Sequence, residues 1–457
     1  MHHTIAIVLA AGKGTRMRSS LPKVAHALAG LPMIVHVHRA VLTVADVEPL
    51  YVLGHGHDLV RGLLPNDVRV VLQTEQRGTG HAVSVAMAAI GEECDEVIVL
   101  YGDMPLLTGD TIARLRARHR ESGKRATLLS ATVDEPYGYG RVIRGADGEP
   151  LAVIEEKWLT SEQRTIREIN TGVYVFDADW LRRVLPDLPR HGDDEIYLTD
   201  VAERAAADHT LQVVSEVPVD EIAGINDRVA LAHAGKLMQR RVNDDLMRQG
   251  VTLVDPDTAY IAADATIGLD TIVEPNVIIG PSVTIGEHCL IGAGSRVLAS
   301  RIGNDCRVIA SQIEESEIAS HVNIGPFCHV RAGSILSDGV HLGNFAETKN
   351  TKLGPGCKMG HFSYLGDATL GSNVNVGAGT ITANYNGTTK QRSVIGNNVF
   401  LGVGTVLRAP IAVGDGSYTG AGSVVLHDVA AGTTVAGVPA HEIHRRGTGR
   451  DRRDDAN

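Results

Sequence analysis

A chain of 457 residues has room for about three domain-sized units, and 43% hydrophobic content is enough for large cores. A net charge of −11 argues against nucleic acid as a principal partner, and no apolar run reaches membrane-spanning length. The five cysteines (94, 289, 306, 328, 357) have neither CxxC pairing nor zinc spacing and read as free thiols of a reducing, cytoplasmic compartment. Fifty glycines against 4% aromatics mean that the cores are built from Val, Ile, Leu and Ala.

The chain opens with an apolar run, "IAIVLAAGKGTRM" over 5–17, that leads straight into a loop with two glycines, a lysine and an arginine. No basic segment precedes it and cations follow it, so it reads as a buried strand and not as a secretion signal. Phosphate is the expected ligand of such a loop, yet the familiar templates fail. Lys13 lies between the glycines, where a Walker A loop needs it after the second, and Met17 stands where a dinucleotide fingerprint needs its third glycine.

Strands are predicted at 4–10, 50–53, 68–72, 96–101, 126–132 and 211–214, with helices at 33–45, 79–90 and 109–121. Alternation of this kind implies a mostly parallel α/β sheet, of the Rossmann-like type, over residues 1–226. Sites then belong at the carboxyl ends of strands, where "AAGKGTR" and "YGDMP" both fall. A Gly-rich loop can cradle phosphates, Arg16 and Lys23 add charge, and Asp103 just after a strand can hold Mg²⁺. "QRGTGHA" at 76–82 suits a flat base or a ribose. Taken singly, a tight turn, a helix cap or a solvated lysine explains each of these equally well; together, on successive strand ends, they point to a nucleotide.

Residues 227–249 lack Pro, and Gly235 is their one glycine. Leu231, Ala234, Met238, Val242 and Leu246 recur at helical spacing and Gly250 closes the stretch, so a linker helix is predicted over 227–250. From 251 to 440 the period becomes six. Apolar residues fall at Ile267, Val273, Ile279, Ile285, Ile291 and Val297, resume at Ile302 and Val308, and again at Ile324, Val330, Leu336 and Leu342. Hexads of this type mark a parallel β-helix in which residues eighteen apart stack at strand spacing, roughly 4.8 Å. Cys289 and Cys306 are then neighbours on successive coils. The largest break, 380–394, reads as a loop expelled from the solenoid, and such loops often carry function. Residues 441–457 read as a disordered tail.

Arg331 and Lys349 are eighteen residues apart, and two cations stacked on one face repel unless an anion lies between them, as a substrate phosphate would. His361, Tyr364, Asn375 and the expelled loop, with Asn384, Tyr385 and Lys390, follow closely.

"LAAGKGTRM…LPK", "QRGTGHA", "YGDMPL", "GYGRV", "IEEK", "INTGVY", "YLTD" and "GINDR", followed by the hexads, resemble the bacterial family of bifunctional N-acetylglucosamine-1-phosphate uridylyltransferases/glucosamine-1-phosphate acetyltransferases over about residues 4–440. The resemblance implies a left-handed β-helix, assembly as a homotrimer with acetyl-transfer sites shared between chains, and a cytoplasmic enzyme that engages no membrane. Its cofactor would be Mg²⁺, and its small-molecule substrates UTP, N-acetylglucosamine-1-phosphate, glucosamine-1-phosphate and acetyl-CoA. It implies that Leu9, Ala10, Gly12, Arg16 and Lys23 contact the nucleotide and that Gln73, Gly78 and Thr79 read uracil and ribose. Asp103 and Asn226 would share the metal, and Gly140, Glu155, Asn170 and Thr171 would hold the acetylated sugar. His361 would be the general base of acetyl transfer, Glu347 its orienter and the Ala378 N–H the oxyanion donor. Arg331, Lys349, Tyr364, Asn375, Asn384, Tyr385 and Ala421 would surround the aminosugar phosphate and CoA. Trp158, Val403 and Gly437 depart from the residues expected at their positions (acidic, serine and basic). Two competing readings are a nucleotidylyltransferase whose β-helix is a trimerisation scaffold, and a non-catalytic nucleotide sensor.

Overall fold

The computed structural model describes residues 3–44, 46–92, 94–192 and 194–445, and the chain divides into two compact units, Met1–Met238 and Gln239–Asn457. In the first unit the sheet runs, in spatial order, Leu211–Val214, Ala126–Thr132, Glu168–Asp177, Glu96–Tyr101, Thr4–Ala10, Val47–Leu53, Arg69–Leu72. Every neighbouring pair is parallel except those made by Glu168–Asp177, which is antiparallel to both its neighbours. Thr4–Ala10 is buried along its whole length, as a central strand covered on both faces must be. The helices Met33–Leu42, Thr79–Ile90 and Gly109–Ser122 lie close to the predicted positions; the first stops at Leu42, short of residue 45.

Glu168–Asp177 escaped the sequence reading, as did the hairpin Arg141–Arg144/Pro150–Ile154, whose first strand pairs with it. The long strand carries a register shift between Asn170 and Tyr174. A bulge of this kind re-aims side chains, and here it falls on two of the residues assigned to the sugar.

One buried carboxylate ties the sheet to its covering helix. Glu96 accepts hydrogen bonds from Arg116 Nε (2.8 Å), Arg120 Nε (3.0 Å) and the Thr4 hydroxyl (2.9 Å). Burial alone would raise its pKa, but Arg120, Arg116 and Thr4 outweigh burial and hold it below the ordinary glutamate range.

In the second unit the chain winds as a left-handed parallel β-helix with three sheets of two- to six-residue strands. One inward residue per strand fills the axis, and Ile279, Val297, Ile313, Val330, Leu365 and Leu407 stack in one column, all buried. The eighteen-residue period holds only locally. A coil takes 18 residues from Ile279 to Val297, 17 from Ile285 to Ile302, and 16 from Val297 to Ile313. The shortened corners pass through a single left-handed residue, at Ala299, Ala310, Glu315, Asn350 and Asp367. That contraction hid Ile313 and Ile318, both buried, from the hexad count.

The expelled loop is also narrower than the predicted 380–394. Ile381–Ala383 and Ser393–Ile395 remain in the sheets, and Thr382 takes the inward place, exchanging hydrogen bonds with Gly366 N (2.7 Å) and O (3.0 Å). A threonine can replace valine there because its hydroxyl is satisfied by the adjacent coil. Cys289 and Cys306 do stack: the Cys306 N–H points at the Cys289 sulfur (3.4 Å), just as the Cys289 N–H donates to the Thr271 hydroxyl (3.0 Å).

The helix Arg228–Arg248 matches the predicted linker, and its last turns seal the first coil. Leu246 joins the β-helix core, while Asn243, fully buried, donates to the carbonyls of Pro256 (2.7 Å) and Ala259 (3.0 Å). At the far end the tail prediction needs correction. Ala440–Arg445 is a strand, antiparallel to Thr433–Gly437, held by ladder bonds from Gly437↔Ala440 to Thr433↔Arg445. Residues 446–457 of the expected tail lie outside the described residues.

Glu96→Ala should destabilise the first unit by about 3 kcal/mol, because it strands the buried Arg116. Since its folded-state pKa lies below the unfolded value, Glu96 adds stability above about pH 4.3 that is lost as pH falls through the folded value. Urea melts between pH 3 and 7 should therefore show native and variant curves converging toward the acid end.

Candidate active sites

The first candidate site lies on the carboxyl ends of the strands Thr4–Ala10 and Glu96–Tyr101, whose continuations are the Gly-rich loop and the turn bearing Asp103. Gly102 N donates to Leu9 O (2.9 Å), which clamps the two strand ends together. A Cβ built on Gly12 would meet nothing within 4 Å, so open space faces the loop backbone there. Gly14 is different: its φ is +60, and a Cβ would fall 2.6 Å from Cβ of Lys23. Its lack of a side chain lets Lys23 lie against the loop.

Lys23 pairs with the Asp103 carboxylate, and its Nζ also donates to Asn226 Oδ1 (3.0 Å). Arg16 Nη2 donates to the same amide oxygen (2.9 Å), and Ile225 N to the Asp103 carbonyl (3.0 Å). Residues more than two hundred positions apart thus converge: two oxygen donors and two cations.

Alongside, Gln73 is buried and its amide nitrogen is committed to Gly78 O and His81 Nδ1, both at 3.1 Å. Its amide oxygen has no partner among the described residues. Thr79 opens the helix Thr79–Ile90; its hydroxyl accepts from Leu198 N (3.0 Å) and bonds to the phenol of the half-buried Tyr101. Glu155 accepts from the Thr199 hydroxyl (3.1 Å), and burial raises its pKa above the ordinary range. Asn170 receives Gly172 N (2.8 Å) and gives its own N–H to Gly140 O (2.9 Å), so Gly140 and Asn170 meet as expected. The Thr171 hydroxyl, in contrast, is buried and donates to Leu129 O (2.6 Å), which leaves only its backbone to face a ligand.

Trp158 is accommodated by a cluster that sequence reasoning missed. Its ring packs on His191 (centroids 4.6 Å apart) and meets the edge of Tyr197 (5.3 Å), with Lys157 Nζ 4.7 Å from it. His191 is in turn held by Asp200 (3.0 Å). The "YLTD" segment therefore has two duties, Thr199 on Glu155 and Asp200 under the aromatic cluster.

In the second unit the predicted stacking of Arg331 over Lys349 holds. His329 pairs with Glu347 and Val330 with Thr348, so the next residues face each other. Glu347 pairs onward with Tyr364, and Lys349 with Gly366. Lys390 from the loop joins them, and this ammonium beside Lys349, with Arg331 behind, pushes the Lys349 pKa below the ordinary lysine range. The Glu347 carboxylate accepts from Arg331 Nη1 (2.8 Å), and no hydrogen bond joins it to His361 among the described residues. His361 itself stands exposed on the corner before Ser363–Gly366.

Near that corner, Ala378 O accepts from Gly404 N (2.7 Å), while the Ala378 N–H meets no acceptor among the described residues. Asn384 is buried, Tyr385 is exposed with its hydroxyl on Gly387 O (2.6 Å), and Asn375 sits in a strand between Lys358 and Phe400. Ala421 and Val403 lie on exposed corners of later coils.

Comparison with known proteins bears on both units. Residues 6–169 match the MobA-like NTP transferase domain, 249–346 the GMPPB C-terminal domain and 392–427 the bacterial transferase hexapeptide (six repeats). The Bifunctional protein GlmU of Exiguobacterium sibiricum is 42% identical over 431 residues, which cover 94% of this chain and 96% of the relative. That of Pelobacter propionicus is 43% identical over 438 residues, covering 95% of each, and that of Streptococcus agalactiae serotype III (strain NEM316) is 42% identical over 93% of each. The chain belongs to the GlmU family. As a GlmU protein it is a bifunctional enzyme of UDP-N-acetylglucosamine synthesis, a uridylyltransferase and an acetyltransferase, and its nucleotide-sugar reaction needs a divalent metal. The scaffold-only and sensor readings of the sequence fall with that membership. Among the described residues no helix is long and apolar enough to cross a membrane.

Gly14→Ala should cost about 1–2 kcal/mol from the left-handed backbone alone and displace Lys23 from Asp103. Thermal melting and uridylyl-transfer kinetics on the same preparation should both show the loss, with acetyl transfer unchanged.

Proposed function

We propose that the first site joins UTP to N-acetylglucosamine-1-phosphate and that the second acetylates glucosamine-1-phosphate from acetyl-CoA, with the residues described above as the working parts. The observation that carries this reading is the triad Arg331, Lys349 and Lys390 on the outer face of a β-helix. Glu347, Glu314 and Asp367 lie near enough to act on these cations, yet the Lys390 ammonium still pushes the Lys349 pKa down. A scaffold gives no reason to set two ammonium groups side by side, whereas the phosphate of an aminosugar does.

At the first site the sugar phosphate is already anionic, so attack on the α-phosphorus of UTP calls for alignment and charge neutralisation and not for a strong base. Lys23 and Arg16, which share Asn226 Oδ1, are placed to meet the negative charge of the triphosphate as pyrophosphate departs. The free amide oxygen of Gln73 suits the N–H of a uracil ring, since its nitrogen is fixed by Gly78 and His81. Glu155 and Asn170 suit sugar hydroxyls and the acetamido group. The metal fits the donors present. Asp103 and Asn226 offer hard oxygens that converge on one ammonium, and Mg²⁺ is held by one or two such ligands together with substrate phosphates. Bound there, Mg²⁺ would supply further neutralisation of the triphosphate.

At the second site His361 takes the proton as the sugar amine attacks the thioester carbonyl; the C–S bond breaks and CoA leaves as thiol. The free Ala378 N–H is an oxyanion donor for the tetrahedral intermediate. His361, Phe362 (62% exposed) and Phe345 (61% exposed) lie open on a single chain. This supports a homotrimer in which neighbouring chains complete each acetyl-transfer site. The enzyme works in the cytoplasm in this reading.

His361→Ala should lower acetyl transfer at least about 100-fold, followed as thiol release from acetyl-CoA, and spare uridylyl transfer; Asp103→Ala should do the reverse. Loss of both activities from either change contradicts separate sites. Because Lys390 depresses the Lys349 pKa, affinity for the aminosugar phosphate should fall with rising pH earlier than for an ordinary lysine. Lys390→Ala should weaken binding at neutral pH yet move the alkaline fall of kcat/KM to higher pH.

A further inference from the structure

Three residues, one per coil and seventeen apart, form a polar column beside the cation triad: Asn350, Asp367 and Asn384. Asp367 and Asn384 are both 8% exposed. Asn350 Nδ2 donates to Asp367 Oδ1 (2.6 Å) and Asn384 Nδ2 to Asp367 Oδ2 (2.5 Å). The backbone of Asp367 is equally fixed, its N–H on Lys349 O (3.0 Å) and its carbonyl receiving Ser393 N (3.1 Å). Asn350 and Asp367 occupy left-handed corners, with φ of +48 and +49, a conformation that Asn and Asp tolerate better than other side chains.

A carboxylate can only accept hydrogen bonds, so both carboxamides must turn their NH₂ groups toward Asp367. For Asn384 that removes the choice of amide orientation: its oxygen faces away from the column. Asn384 is also where the chain leaves the solenoid for the loop that bears Tyr385 and Lys390, and Gln391 N closes that loop on Asn384 O (2.7 Å). On its other side the Asn384 amide approaches Tyr364. A Cβ placed on Gly366 would lie 2.3 Å from the Tyr364 hydroxyl and 2.7 Å from Asn384 Nδ2. Glycine at 366 lets these two groups close over the backbone opposite Lys349.

We propose that Asp367 is a positioning residue for acetyl transfer. It fixes the orientation of Asn384 and the root of the Tyr385–Lys390 loop, and so presents Lys390 to the anion that Arg331 and Lys349 hold. The proposal rests on the reading of that triad as the aminosugar-phosphate site.

Asp367→Asn keeps size and left-handed tolerance but lets the amide at 367 flip, freeing Asn384. It should raise the KM for glucosamine-1-phosphate about tenfold, the loss of one charge-assisted hydrogen bond, with the acetyl-CoA KM and uridylyl-transfer kinetics unchanged. The exchange Asn350→Asp with Asp367→Asn rebuilds the column, since Asn at 367 would then donate to 350 and accept from Asn384. Most of the lost KM should return. A D367N enzyme with native KM, or an exchange variant with no recovery, overturns the proposal, and lower melting temperature with native KM marks a purely structural role and does the same. Where D367N fails to fold, the exchange variant alone decides: near-native KM supports the proposal and a tenfold rise refutes it. Lys349→Ala separates the two layers. If it leaves the glucosamine-1-phosphate KM unchanged, the site reading itself fails; if it raises that KM while D367N does not, only Asp367 loses its role.

Discussion

Parallel stacking of coils fixes which residues of the second unit can meet. Each strand lies about 4.8 Å from the one above and the one below, so a side chain on the outer face has neighbours chosen for it by the length of a coil. Arg331 reaches Lys349 across 18 residues, while Glu347 reaches Tyr364 across 17. The contraction comes from one left-handed corner at Asn350. Had that coil kept eighteen residues, the place opposite Glu347 would fall to Leu365, a fully buried core residue, in place of Tyr364. The anion site and the register of the solenoid are therefore one property.

The first unit solves the same problem, gathering charges from distant positions, by a different route. Strand ends of a parallel sheet deliver loops to one edge, and the loop after Thr4–Ala10 meets the turn after Glu96–Tyr101 because Gly102 binds Leu9. Without a ligand, the converging charges satisfy one another: Lys23 sits on Asp103 and Asn226, and Arg16 shares the amide oxygen. Nucleotide and metal must then exchange partners with groups already paired, so each gains less than an isolated charge would give but meets a site that is already assembled.

Much of this was legible in sequence. Thr4–Ala10, Glu96–Tyr101 and the helix Thr79–Ile90 were read to the residue, because apolar runs bounded by Gly-rich loops are strong local signals. The inward Ile and Val of the hexads all proved buried. What failed was non-local. Glu168–Asp177 is interrupted in sequence by Asn170, Thr171 and Gly172, and its antiparallel placement is set by neighbours on both sides. Thr348 and Thr382 fill inward places where a polarity pattern seeks Val, because only the fold shows Ser334 and Gly366 waiting for their hydroxyls. Among site residues, Asn226 with Lys23 and Glu155 beside "YLTD" came from motif resemblance, since no spacing links positions so far apart. Asp367 had no signal beyond being polar, and the capture of the Thr171 hydroxyl by Leu129 O and Val173 N depended on a bulge that sequence does not announce.

The strand Ala440–Arg445 gives the solenoid a finite length. A parallel stack presents at its last coil the same unpaired backbone that it offered at every earlier coil, and any other strand of matching length can add to it. By turning back antiparallel on Thr433–Gly437, the chain occupies the edge of one of the three sheets itself, while Leu246 and Asn243 stopper the opposite end. That sheet is thereby closed to end-to-end addition of a further strand, a hazard inherent in any repeat whose interior looks the same at each level.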